Sequence, residues 1–187
     1  MKNLIYIIIF LVAFNFANAQ EYQVDKTKKN LVKFTSEMPV ESFDGVTNKI
    51  DGYLYMKSDN LKDAEVYFEV DLNSVDTGIG LRNRHMREDY LHTDKYQFTN
   101  FKGNITSVKD ISQTEFDVVV GGKMFIHGVT RDIKINGKIY KVPEGYQLKS
   151  QFIVKLTDYN IKVPKFMFVR ISEDIQLTLD FFVKSNN

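Results

Sequence analysis

Alternation is the feature that most constrains this fold. In residues 64–72, Val66, Phe68, Val70 and Leu72 take every second position, and Tyr67, Glu69 and Asp71 take those between. Successive side chains on an extended strand point to opposite faces, whereas a helix aligns residues three and four apart. The segment can therefore bury one face only as a strand. The same period recurs along the chain. Residues 30–38 place Val32 and Phe34 on one face, and 49–57 place Ile50, Leu54 and Met56 together. Residues 98–108 and 115–127 follow, then 131–142 with Ile133, Ile135 and Ile139. Residues 146–156 carry Leu148, Phe152, Val154 and Leu156, and a last strand carries Ile175, Leu177, Leu179 and Phe181.

The connections carry turn chemistry. Asp44-Gly45 marks a turn in a link at 39–46, between the 30–38 and 49–57 strands, which are expected to pair. Pro143-Glu144-Gly145 suits a hairpin, and Gly121-Gly122 suits a bulge or sharp coil inside a long strand. About eight sequential antiparallel strands close into a barrel or stack as a sandwich. The barrel is expected, because closure removes exposed edges and leaves an interior that side chains just fill or that holds one small ligand. Fifteen Phe and ten Tyr, with no Trp, make that interior aromatic and apolar.

Residues 1–19 have a Lys near the start, an apolar run from Leu4 to Phe16 and then Ala17-Asn18-Ala19, the pattern of a secretory signal peptide cleaved after Ala19. One domain is expected over 20–187, periplasmic or secreted, with no membrane span after cleavage. Cysteine is absent, so the core must stand without disulfides. The net charge of +1 includes the Lys of the leader, so the remainder is near neutral and nothing points to nucleic acid.

One stretch, 73–101, interrupts the strands and holds a dense cluster of Arg and His. Residues 80–91 read as a short helix with Leu81, Met86, Tyr90 and Leu91 as apolar members, placed to lie across a barrel mouth. Arg82 and His85, three apart on one side of that helix, are candidates either for structural hydrogen bonds or for contact with a ligand head group. The histidines His85, His92 and His127 lack metal-ligand spacing, and His127, before Gly128, reads as a structural residue. There is no G-x-S-x-G, P-loop or dinucleotide fingerprint, so no catalysis and no cofactor are expected.

The run Ser74-Val75-Asp76-Thr77-Gly78, followed by Arg82-Asn83-Arg84-His85-Met86 and Tyr96-Gln97-Phe98-Thr99-Asn100-Phe101, resembles the YceI-like family. So does Lys123-Met124-Phe125-Ile126-His127-Gly128-Val129-Thr130-Arg131. The chain departs from the family pattern where Asn83 replaces a usual Asp and Gln97 a usual Pro, and where Leu156-Thr157-Asp158-Tyr159-Asn160 stands for a late R-x-x-F-G. The resemblance implies an eight-stranded antiparallel lipocalin-like barrel with a short helix between strands. It also implies an amphipathic isoprenoid ligand of the quinone or polyprenyl phosphate type.

The expected tail-lining set is Phe68, Val70, Leu72, Phe98, Met124, Ile126, Ile135, Phe152, Val154, Leu177 and Leu179, with Arg82, His85 and Tyr90 toward the head group. The competing expectation is an interaction module with a dry, self-filled barrel, in which Val119 and Phe125 on the outer wall form a homodimer or partner face.

Overall fold

The computed structural model describes residues 19–37, 42–166 and 169–185, so the expected signal peptide lies outside the described residues apart from its last position. The described residues form twelve strands: β1 (Gln20–Val24), β2 (Leu31–Ser36), β3 (Phe43–Thr47), β4 (Ile50–Met56), β5 (Glu65–Asp71), β6 (Phe98–Asp110), β7 (Glu115–Ile126), β8 (Val129–Val142), β9 (Gly145–Lys155), β10 (Lys165–Phe166), β11 (Val169–Arg170) and β12 (Asp174–Ser185). All but the small β10–β11 pair form one antiparallel sheet, in the order β1-β4-β5-β6-β7-β8-β9-β12-β2-β3.

That sheet is closed. β12 meets β2 from Ile175 to Asp180 and β1 from Val183 to Ser185, so β1 and β2 are two halves of one stave. On the next stave β3 pairs with β2 and β4 with β1, again as two halves. Counting each broken stave once gives a closed eight-strand antiparallel barrel, as the alternation predicts.

The sequence expectation fails at the first hairpin. Residues 49–57 were expected to pair with 30–38, but β4 pairs with β1, and β2 pairs with β3, which lies inside the expected link. Gly45 explains the misreading. It sits opposite Phe34, whose ring lies so close that a Cβ at position 45 would stand 2.1 Å from it. The strand gives up an apolar inward side chain to seat that ring, and Asp44-Gly45 then reads as a turn. The bulge is also displaced. Ile105 pairs with Val120 and Ser107 with Val119, so the extra residue is Thr106 on β6, opposite the Val119–Val120 step, while the expected glycines pair regularly with Asn104 and Gly103.

The break between β1 and β2 is held by buried polar groups. Asp25 accepts from the backbone N–H of Thr27 at 3.0 Å and its hydroxyl at 2.7 Å, and lies 3.3 Å from Lys184 Nζ. Asn30 donates to the Asp25 carbonyl, and its own Oδ1 accepts the N–H of Phe182. The Thr27 hydroxyl, and then its N–H and Lys184, hold the Asp25 carboxyl below the usual carboxylate range against the opposing effect of burial.

A lowered pKa in the folded state means that the stabilisation is present above the unfolded pKa and is lost as pH falls through the folded one. Asp25→Ala is expected to cost about 2–3 kcal/mol at pH 7 by stranding buried donors. Urea titrations of both proteins should show the difference narrowing as pH falls below about 4. A difference independent of pH would remove the carboxylate from this role.

Candidate ligand-binding lumen and its mouth

Inward positions follow from register, since residues directly opposite in an antiparallel ladder share a face. Two rows cross the wall made by β9, β12, β2 and β3. One runs Phe152, Leu177, Phe34, Gly45, and the other Ser150, Leu179, Val32, Thr47. The facing wall packs tightly, with Leu54, Ile105, Val118 and Ile139 buried at 5% exposure or less. The large side chains of the two rows do not reach that state. Phe152, Leu177, Leu179, Val32 and Phe34 pack on the core yet remain only partly buried. Ser150, and Gly137 opposite it on β8, add little volume at this level. The interior is therefore loosely filled at these two rows, while Val154, Ile175 and Phe181 on the same strands are buried.

Of the expected tail-lining residues, Val70, Met124, Ile126, Ile135 and Val154 are buried in the core cluster. Phe68, Phe152, Leu177 and Leu179 pack against that cluster, Phe68 with its ring edge-on to Phe181 at 4.8 Å. Leu72 is half-buried in the 3-10 turn Leu72–Ser74, past the end of β5. Phe98 is a correction. It lies on the outer side of β6, 41% exposed, while Phe101, three residues on and so of opposite parity, points inward between Phe68 and Met124. Val119 and Phe125 are half-buried on the outward parity of β7, as expected.

The segment between β5 and β6 crosses one end of the barrel. It holds the helix α1 (Gly80–His85), which continues as a π-helical run over Met86–Leu91, matching the expected 80–91 helix. Tyr90 and Leu91 pack this helix on the core, and His92 ends it in the left-handed conformation at φ 45°. Arg82 is committed to its own loop. Its Nε donates to Thr77 Oγ1 at 2.9 Å and Nη2 to the Thr77 carbonyl at 2.6 Å, while its Cζ sits 4.2 Å over the Phe43 ring.

Asn83 links the motif. Its Oδ1 accepts from Thr77 N and Oγ1, and its Nδ2 donates to Asp76 Oδ1 at 2.7 Å. These bonds from Asn83 and from the Gly78 N–H lower the Asp76 pKa. The amide does here what an Asp cannot, because it both accepts and donates. Arg87 Nη2 donates to the Val75 carbonyl at 3.1 Å. Of the three head-group candidates, Arg82 thus holds the lid segment, Tyr90 docks it, and His85 is exposed on it.

Sequence reasoning missed a second junction. His127 and Gly128 form the two-residue turn between β7 and β8, both with positive φ (49° and 78°), as a hairpin turn matched to strand twist requires. Tyr96 lies against Gly128, where a Cβ would meet its ring at 2.8 Å. The His127 Nδ1 donates to the Tyr159 carbonyl at 3.1 Å, and its Nε2 shares a hydrogen bond with His92 Nδ1 at 2.9 Å. One imidazole thereby joins the end of the lid helix, a barrel turn and the 3-10 turn Leu156–Tyr159. His127 was legible as structural from its place before Gly128, but a partner 35 residues away was not. Among the described residues, no three His, Cys, Asp or Glu side chains converge to hold a metal ion.

This architecture has relatives of known sequence and structure. The family model described as "YceI-like domain" matches residues 22–183. A UPF0312 protein of Vibrio cholerae is 30% identical over 125 residues, 65% of this chain, and the match spans 64% of that protein's own length. A UPF0312 protein of Vibrio vulnificus is 29% identical over 157 residues, 79% of this chain and 80% of its own.

Among solved structures, Burkholderia cenocepacia BcnA superposes with a TM-score of 0.71 at 14% identity, covering 84% of this chain and 98% of its own. A polyisoprenoid binding domain from Saccharophagus degradans gives 0.68 at 17% identity, covering 90% and 99%. These two likenesses concern the fold. The family match runs from β1 to the end of β12 and takes in both the lid motif and the His-Gly turn, and on it the chain belongs to the YceI-like family.

Proposed function

We propose that the chain is a non-catalytic carrier that holds the tail of an amphipathic isoprenoid lipid, of the quinone or polyprenyl phosphate type, in the barrel lumen. One observation carries this reading: the inward rows Phe152-Leu177-Phe34 and Leu179-Val32 of β9, β12 and β2 are apolar yet only partly buried, whereas Leu54, Ile105, Val118 and Ile139 elsewhere in the interior are buried. The polyisoprenoid binding named for the Saccharophagus domain supports it. Burial of one five-carbon isoprene unit is worth about 4 kcal/mol before ordering costs, so even a short tail supplies useful affinity. Export by the residue 1–19 leader, to the periplasm or beyond, belongs to the same proposal.

Native mass spectrometry of protein purified without detergent, followed by solvent extraction, tests it. The expected result is one isoprenoid lipid per barrel. An empty protein that also refuses added quinone and polyprenyl phosphate would overturn the carrier reading. A dimeric mass without lipid would favour an interaction module, for which the exposed Phe98 and the half-buried Phe125 supply an outer apolar face.

A further inference from the structure

The barrel wall is not continuous around its circumference. β7 and β8 pair along their whole length, from Glu115 with Tyr140 to Ile126 with Val129. β9 and β12 also pair throughout, from Lys155 with Asp174 to Gly145 with Lys184. Between β8 and β9 the ladder runs only from the turn at Val142 and Gly145 to Gly137 and Ser150, where it stops. Beyond that point, residues 132–136 of β8 and 151–155 of β9 have no strand pairing with one another.

The gap has defined ends. At one end the Ser150 hydroxyl donates to the Asn136 carbonyl at 2.7 Å, capping the first backbone acceptor past the ladder. At the other end Arg131 Nε donates to the Asp158 carbonyl at 2.9 Å and His127 Nδ1 to the Tyr159 carbonyl, which tie the start of β8 to the turn following β9. The result is a window with a closed frame.

A cleft of about 190 Å3 lies at the window. It is lined by Ile133 and Val154, which belong to the apolar core, and equally by Asp132, Ile153 and Lys155, which have the outward parity of the same two strands. On its inner side Ile133 and Phe152 are partly exposed, and Phe152 belongs to the loosely filled row of the lumen. On its outer side Ile153 is 65% exposed, more than any other large hydrophobic side chain among the described residues.

We infer that this window is a lateral portal through which an isoprenoid chain slides into the lumen, with Ile153 as the apolar step outside and Phe152 the first wall residue inside. The inference rests on the carrier reading. Volume selects the occupant: at about 30 Å3 per water-sized group the cleft holds about six such groups, which suits one five-carbon isoprene unit and not an added strand. The closed frame also denies a strand the open edge it needs.

The absence of native cysteine allows a clean test. Ile153→Cys beside the window, Asn104→Cys on the outer face of β6 and His85→Cys on the lid helix are each coupled to a polyethylene glycol maleimide. Uptake of a dansylated farnesyl probe is then followed by its emission rise, with the cysteine-free wild type carried through the same treatment. Labelling at 153 is expected to slow uptake by about 10-fold or more, within the range over which association rates vary, and labelling at 104 to leave it unchanged. Equal rates at 153 and 104, or slowing at 85 without slowing at 153, would overturn the portal while leaving binding intact. No emission rise in the wild type would overturn the carrier reading, and the portal with it.

Discussion

Leu179→Trp is expected to abolish uptake of a short-chain prenylquinone, measured by calorimetric titration, while changing stability by less than about 1 kcal/mol. Leu179 sits in the loosely filled row between Ser150 and Val32, so an indole there occupies lumen space instead of displacing packed atoms. Val70→Trp is the matched comparison. Val70 is buried near the lid end of β5, and the larger ring should overpack it at a cost of about 1–3 kcal/mol. The contrast between the two variants carries the information. Equal destabilisation would mean that the Leu179 row is packed as tightly as Val70, and the lumen would then be a dry core with no room for a tail.

The second large effect is expected at Gly52. This residue has φ 129°, and a Cβ there would fall 2.0 Å from the Tyr67 carbonyl oxygen and 2.8 Å from the Phe68 Cα. The neighbouring backbone belongs to the β4–β5 ladder and cannot withdraw without breaking it. Gly52→Ala should therefore cost about 3–5 kcal/mol, a large share of the stability of an ordinary domain. Gly80→Ala, at the first position of the lid helix with no heavy atom within 4 Å of the added methyl, should be neutral or stabilising by up to about 1 kcal/mol. Urea midpoints measure both. Similar midpoints for the two variants would show that β4 tolerates the added atom and that the positive φ at Gly52 is dispensable.

The barrel was legible in the sequence wherever an inward face is made of large apolar side chains. Val66 to Leu72 and Ile175 to Phe181 announce their strands because each second residue is apolar. β3 did not, because its inward position is Gly45, and its contribution to packing is the absence of a side chain under Phe34.

The lid helix was legible to its boundaries through Leu81, Met86, Tyr90 and Leu91. The tasks of its polar residues were not. Arg82 is drawn to Thr77 by the path of a loop that no periodicity encodes. Phe98 misled because two phenylalanines three apart read as one apolar run, although on a strand they must face opposite ways. The pairing of His92 with His127, and the gap between β8 and β9, depend on where elements meet in space. Ile133, Ile135, Phe152 and Val154 alternate as regularly as residues in the paired parts of the sheet, and alternation reports burial of a face, not pairing of an edge.

Closure of the barrel depends on the two ends of the chain. Tyr22 pairs with Ser185 and Val24 with Val183, so the seam that turns a sheet into a barrel joins the first described strand to the last. Until β12 has been synthesised, β9 on one flank and β1 with β2 on the other lack their neighbour, and the nascent chain is an open sheet with two adhesive borders. Such distant contacts place folding in the slow regime of non-local topologies. A chain in which β12 has not yet docked therefore keeps open edges prone to self-association, and the 12 residues of β12 separate such a sheet from a sealed container.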